Sequence, residues 1–237
     1  MGRRPDPRPQ FLAEAQSELS VHDRLVVNEV SVAIDGHPIL APTSFCVDPG
    51  KVTAVVGPSG SGKSTLLDCL MAWQTPTTGE IRLGDTLVSG LKEPRSSDFR
   101  RTDCGVVMQE ALLLEELSVR DNVSLVMRFK GLPPDASAMR ADAALAAVGL
   151  ADFGTAQVGR LSGGEAQRVA IARATSSPVR LMIADEPTAA LDRANATRVA
   201  SLLIERARSL GVPLVLATHD TRVAEACDAI VDLGSAA

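Results

Sequence analysis

The chain has 237 residues, 45% of them hydrophobic, which suits one sizeable domain, or a domain with a substantial insert, around an ample core. Its formal charge is −5, from 24 basic and 29 acidic residues without a block of one sign, and its aromatic content is 3% with no tyrosine; both features argue against a nucleic-acid-binding surface. No apolar run reaches bilayer-spanning length and no charged-then-apolar leader opens the chain, so the expectation is a soluble intracellular protein. The four cysteines, Cys46, Cys69, Cys104 and Cys227, lie far apart without a CxxC pair and are expected to stay reduced in or near the core.

Residues 1–22 begin with three prolines and three arginines in the first ten positions, a composition that predicts a tail outside the folded domain, which spans 23–237. Leu25–Val32, Ile34–Leu40 and Ser44–Val47 read as short strands broken by the turn signals Asp35-Gly36 and Asp48-Pro49-Gly50. Val52–Val56 is a β-branched run of the buried-strand kind. A glycine-rich loop follows, then a helix over Ser64–Trp73, where Leu66, Leu67, Leu70 and Met71 recur at helical spacing. Glu80–Leu83 and Thr86–Val88 resume strand character.

Ser118 reads as the cap of the first of two helical stretches, split by Gly131-Leu132-Pro133-Pro134 and ending near Gly159. A helix near Glu165–Thr175, a strand at Leu181–Ala184, a helix near Arg193–Leu210, a strand at Leu214–Thr218 and a last helix and strand complete the chain. Strand–helix alternation at both ends predicts a parallel sheet covered by helices, with a helical insert between the halves.

Gly57, Pro58, Ser59, Gly60, Ser61, Gly62, Lys63, Ser64 and Thr65 contain the pattern G-x-x-x-x-G-K-S. Glycines there let successive N–H groups turn inward around an anion, and the helix that follows adds its positive end. Lys63 can reach the β- and γ-phosphates, and the Ser64 hydroxyl can ligate Mg²⁺. A plain flexible turn would explain the glycines, but not their place between a buried strand and an apolar helix.

The loop alone specifies a nucleoside triphosphate; other segments specify its use. Leu181–Pro187 reads LMIADEP, an apolar strand with two carboxylates where it emerges. Asp185 is placed to hold Mg²⁺, and Glu186 to orient or deprotonate the water that attacks the γ-phosphate. His219 follows the next strand and can bond both the γ-phosphate and the catalytic carboxylate. Ser162, Gly163, Gly164 and Glu165 open another helix whose amides are unobstructed, a second anion-binding start. One centre does not need two phosphate cradles from one chain, so the expectation is a dimer in which each cradle closes on the triphosphate of the other subunit.

GPSGSGKST, Gln109, LSGGEAQR, LMIADEP, Ala190-Leu191-Asp192 and His219 together resemble, in order and spacing, the motif set of ABC-type ATPases over roughly residues 24–234. The resemblance implies an α/β P-loop NTPase fold: a mostly parallel sheet core, an antiparallel β subdomain, and an α-helical subdomain inserted at about 112–162. It implies ATP and Mg²⁺ as cofactors, bound in a head-to-tail dimer, with an integral membrane permease as partner and the cytoplasmic membrane face as the location. By the same likeness Gln109 touches Mg²⁺ or water and relays closure to the membrane partner, and Asp192 crosses the dimer seam. The alignment puts Ile34 where the family usually carries an adenine-stacking aromatic, which predicts looser base selectivity and leaves GTP open as a substrate. Glu165 stands where glutamine is commoner, as in the lipoprotein-release and macrolide-export branch, to which FRRTDCGVVMQ and SVRDNVSL are also similar.

The resulting expectation is the ATP-binding subunit of a transporter that exports or releases a lipid, lipoprotein, peptide or drug. An ATPase of the FtsE type, driving a cell-wall or division partner without moving substrate, is the alternative. A role on DNA or ribosomes would call for a coiled coil, zinc-spaced cysteines or a second ATPase domain. Leu112, Leu113 and Leu114 read either as core or as a docking surface for the membrane partner, and Trp73 as core or as interface anchor.

Overall fold

A computed structural model describes residues 23–234; the predicted tail, residues 1–22, lies outside the described residues. Two sheets carry the fold. The first is antiparallel, in the order β2-β1-β4-β5, built from β1 (Leu25–Ile34), β2 (His37–Val47), β4 (Thr78–Leu83) and β5 (Thr86–Leu87). The second has five strands in the order β6-β7-β8-β3-β9: β6 (Cys104–Val107), β7 (Leu181–Asp185), β8 (Leu214–Ala217), β3 (Val52–Val56) and β9 (Ala229–Asp232). Every pairing in it is parallel.

The parallel sheet explains why its strands read as unbroken apolar runs. Met182 and Ala184 of β7 face one core cluster, while Leu181 and Ile183 face the other; Leu214 and Leu216 of β8 alternate with Val215 and Ala217 in the same way. A strand covered on both faces needs apolar side chains at every position. One cluster lies against α3 (Val119–Phe129), α4 (Pro134–Ala147), α5 (Gly163–Ala174) and α6 (Arg193–Leu210). The other lies between the sheet, α1 (Lys63–Leu70) and the antiparallel sheet. Helix α2 (Arg95–Thr102) precedes β6, and α7 (Thr221–Glu225) precedes β9.

Several sequence expectations need correction. The three short strands before β3 are two long ones, with the β1–β2 reversal at Asp35 and Gly36, whose φ values of 50° and 80° suit a hairpin turn with two left-handed residues. Pro38 and Pro42 interrupt the pattern of β2 but fit because β2 is an edge strand. Helix α1 ends at Leu70 rather than Trp73, and α5 begins at Gly163. Helix α2 and strand β6 were not expected: α2 buries only Ser96 and Phe99, too little for an apolar period, and β6 is four residues long with Gly105 in it. All four cysteines are free thiols, but Cys46 is exposed on β2, whereas Cys69 and Cys104 are buried and Cys227 half-buried. Burial pushes the Cys69 thiol up to about 12 and that of Cys227 to about 11.

Candidate functional site

The C-terminal ends of the parallel strands converge on one cavity of about 590 Å³. Strand β3 delivers the loop Gly57–Gly62 and α1, β7 delivers Asp185 and Glu186, β8 leads to His219, and the segment after β6 brings in Gln109. In an open parallel sheet this edge is where strands hand over to loops, so residues distant in sequence meet there.

The loop is shaped by backbone rather than side chains. Gly62 has φ +90°, and a Cβ there would stand 2.6 Å from the Ile39 carbonyl oxygen, so only glycine fits. Gly62 is also the N-cap of α1, which has no side-chain cap and no acidic residue in its first turn. Its leading N–H groups are thus left for an anion. The Lys63 ammonium donates to the carbonyls of Gly57 at 2.7 Å and Pro58 at 3.0 Å, which holds the charge over the loop. Ser61 is set back from the cavity wall: among the described residues its hydroxyl, buried beside Gly57, has no hydrogen-bond partner, and its N–H donates to Pro58 O.

Ser64 and Asp185 form the next layer. The Ser64 hydroxyl donates to Asp185 Oδ2 at 3.0 Å. A hydroxyl and a carboxylate side by side, with the Gln109 amide in the same wall, are hard oxygen donors suited to Mg²⁺. Among the described residues no group of three His, Cys, Asp or Glu side chains could hold a metal on its own. A hydroxyl, a carboxylate and an amide fill only part of a six-oxygen shell and leave places in it for phosphate and water. Asp68, one helical turn after Ser64, has its carboxyl pushed up by burial and by the nearby Asp185 charge. Sequence reasoning passed over Asp68, although its i+4 spacing from Ser64 puts both on one helix face.

Glu186 and His219 are joined. His219 Nδ1 lies 2.8 Å from Glu186 Oε2, and the His219 backbone N–H donates to the same oxygen at 3.3 Å. Glu186 also has φ +46°, a left-handed backbone that costs a non-glycine residue about 1–2 kcal/mol. Its own N–H donates to Ala217 O at 3.0 Å, and its carbonyl accepts from Ala189 N at 3.1 Å, so the surroundings hold the strained residue in place.

Other predicted site residues lie outside this cavity's wall: Ile34, Ser162, Gly163, Gly164, Glu165 and Asp192. Ile34 is 50% exposed at the end of β1 opposite His37; the aliphatic side chain that lines the cavity is Ile39 of β2. Ser162 caps α5 in a capping box. Its hydroxyl accepts from Glu165 N and donates to Glu165 Oε2 at 2.7 Å, while its N–H donates to the same carboxylate at 2.8 Å. These bonds hold the Glu165 carboxyl below its usual range. Asp192 caps α6, and its carboxyl is held low by the N–H groups and side chain of Asn195 and the N–H of Ala194. Asn195 also fills the space beside Gly164, where a Cβ would meet it at 3.1 Å, so the starts of α5 and α6 touch. Of the three leucines, Leu113 packs on the core while Leu112 and Leu114 are exposed, as is Trp73.

The ABC transporter family model matches residues 40–189, more than half of the chain. The chain belongs to the ABC transporter family. It is 41% identical over 145 residues to the lipoprotein-releasing system ATP-binding protein LolD of Nitrobacter winogradskyi, covering 61% of this chain and 62% of that one. It is 37% identical over 159 residues to a putative 2-aminoethylphosphonate import ATP-binding protein, PhnT, of Salmonella typhi, covering 67% and 42%. The chain thus spans under two thirds of the length of these relatives. Among solved structures, the dimeric bacterial ABC transporter cassette MJ0796 is 30% identical with a TM-score of 0.78, over 89% of this chain and 94% of that one. CbiO1 of Clostridium perfringens, part of the transporter complex CbiONQ, is 30% identical with a TM-score of 0.81, over 89% and 84%. The parallel core, the antiparallel sheet and the helical insert of this cassette agree with that likeness.

Proposed function

We propose that this cassette binds and hydrolyses Mg-ATP as one half of a head-to-tail pair, and that the pair drives a separate membrane permease. The observation that carries the reading is that Lys63 and its loop line the cavity, whereas the signature residues Ser162–Glu165 start a helix outside its wall. A second copy turned end to end would bring Ser162–Glu165 and Asp192 against the triphosphate that Lys63 grips. The solved MJ0796 cassette is dimeric, which supports the arrangement.

Within the pocket each group has a task. Lys63 and the amides of the loop grip the β- and γ-phosphates. Ser64, Asp185 and Gln109 would hold Mg²⁺, which supplies positive charge against the oxygens of the transferred phosphoryl group. Glu186 accepts a proton from the attacking water, and His219, bonded to the same carboxylate oxygen, fixes its direction. Binding closes the pair and hydrolysis reopens it. Among the described residues no helix is long and apolar enough to cross a membrane, so force would pass to a separate subunit at the cytoplasmic membrane face, with exposed Leu112 and Leu114 beside Gln109 as the contact. Similarity to LolD favours release or export of a lipid, lipoprotein, peptide or drug as the work done.

The test is Glu186→Gln. The variant should bind ATP as the wild type does, lose at least about 100-fold in turnover, and accumulate as a dimer with Mg-ATP in size-exclusion chromatography. Unchanged hydrolysis removes Glu186 from its role, and a strictly monomeric variant overturns the paired arrangement.

A further inference from the structure

Helix α5 grips the segment after β6 by its peptide carbonyls. Gln167 is 3% exposed, and its Nε2 donates to Met108 O at 2.7 Å and to Pro187 O at 2.8 Å, with Gln109 O at 3.3 Å. An amide nitrogen has two hydrogens, so the two short bonds use both. Six residues along the same helix, Arg173 donates to Ala111 O and Leu112 O, each at 2.7 Å. Both side chains hold the loop that carries Gln109, but Gln167 alone of the two also reaches the end of β7.

The places Gln167 touches are chemically pointed. Met108 O belongs to the peptide that leads into Gln109. Pro187 follows Glu186, whose left-handed backbone persists only because its neighbours are held. On the near side the Glu186 N–H is fixed to Ala217 O; on the far side the next carbonyl is fixed by Gln167. The bonds of Gln167 do not extend to the phosphate loop. Its helix begins at Ser162 and Gly163, the residues assigned above to the nucleotide of the other copy.

We propose that Gln167 is a positioning residue for hydrolysis: its amide ties the start of α5 to the peptides beside Gln109 and Glu186. This rests on the reading above of Glu186 as the hydrolytic carboxylate. A shift of the helix start, as when it meets a nucleotide on a second copy, is then felt in the chain's own pocket. Removing the two donors loosens Gln109 and Glu186 but leaves the grip of Lys63 and its loop unchanged.

Two variants of the full chain test this. Gln167→Met keeps the volume without donors. Gln167→His keeps one, because its Nε2 falls close to the place of the glutamine nitrogen. The readouts are the dissociation constant for a fluorescent ATP analogue, kcat and KM for ATP hydrolysis, and the melting temperature. Dissociation constant and KM should stay within about threefold of wild type, while kcat falls about 30-fold for methionine and about fivefold for histidine. Wild-type kcat within twofold in both folded variants overturns the proposal, as does a loss of binding in step with kcat. If the methionine variant does not fold, the histidine variant against wild type decides by the same criteria. A wild-type chain without hydrolysis overturns the underlying reading together with this one, whereas wild-type turnover with unaffected variants overturns the role of Gln167 alone.

Discussion

Lys63 is anchored by the carbonyls of Gly57 and Pro58, so its charge stays at the mouth of the loop rather than drifting into solvent. Among the described residues no second lysine or arginine lines the cavity to replace it: the wall is otherwise built of backbone, hydroxyls, carboxylates, one amide, His219 and the apolar side chains of Ile39, Pro58 and Ala189. Lys63→Ala should therefore weaken Mg-ATP binding by at least about tenfold, the loss of one charge-assisted contact, with little change in melting temperature. Isothermal titration of wild type and variant checks the first half of that statement, and a thermal melt the second. Glu186 stands at the opposite extreme. Its role depends on a backbone angle that its residue type does not favour, and that angle is kept by bonds from β8 and α5.

Helix α5 is the element on which most depends, and its start is its weak point. The capping box at Ser162 and Glu165 satisfies N–H groups that have no partner inside the helix. Ser162→Ala should cost about 1 kcal/mol of stability at pH 7, measured by urea unfolding. The pH dependence has a definite sign. The folded Glu165 carboxyl titrates below its ordinary value of 4.5, so its contribution is complete above 4.5 and is lost as the pH falls through the lowered folded value. The wild-type advantage over Ser162→Ala should accordingly shrink on acidification. Helix α1 shows the reverse design, with no side-chain cap at Gly62 and its N–H groups turned to the cavity.

At the scale of the molecule, Arg180 joins parts that the chain order keeps apart. Its guanidinium donates to Asp23 Oδ2 at 3.0 Å, to Thr86 Oγ1 at 3.1 Å and to Leu83 O at 3.1 Å, and lies 3.6 Å from Asp103. The antiparallel sheet is thereby pinned to the leading ends of β6 and β7. Asp23 is 6% exposed, so removing Arg180 leaves a buried carboxylate without a cationic partner among the described residues. Arg180→Ala should destabilise by about 3 kcal/mol, the lower end for a broken buried pair because Arg180 keeps some contact with water. The midpoint of urea unfolding would fall accordingly, while ATP binding per folded molecule would be retained.

How much of this was legible in the sequence depended on the range of the interaction. The phosphate loop, the carboxylate pair at the end of β7, His219 and the Ser162 cap were readable because each is a local chemical pattern next to a recognisable strand or helix, and the cavity gathers Lys63, Ser64, Gln109, Asp185, Glu186 and His219 together. Apolar runs at β3, β7 and β8 likewise announced a sheet buried on both faces. Helix α2 and strand β6 were hidden because short elements with few buried residues leave no period to detect. Ile39 rather than Ile34 in the cavity wall, Cys46 on the surface, the split between Leu113 and its neighbours, and the two carbonyls held by Gln167 were decided by tertiary structure alone. Local chemistry is written in adjacent residues; which faces meet, and which backbone carbonyl a buried amide finds, is set only when distant strands are brought side by side.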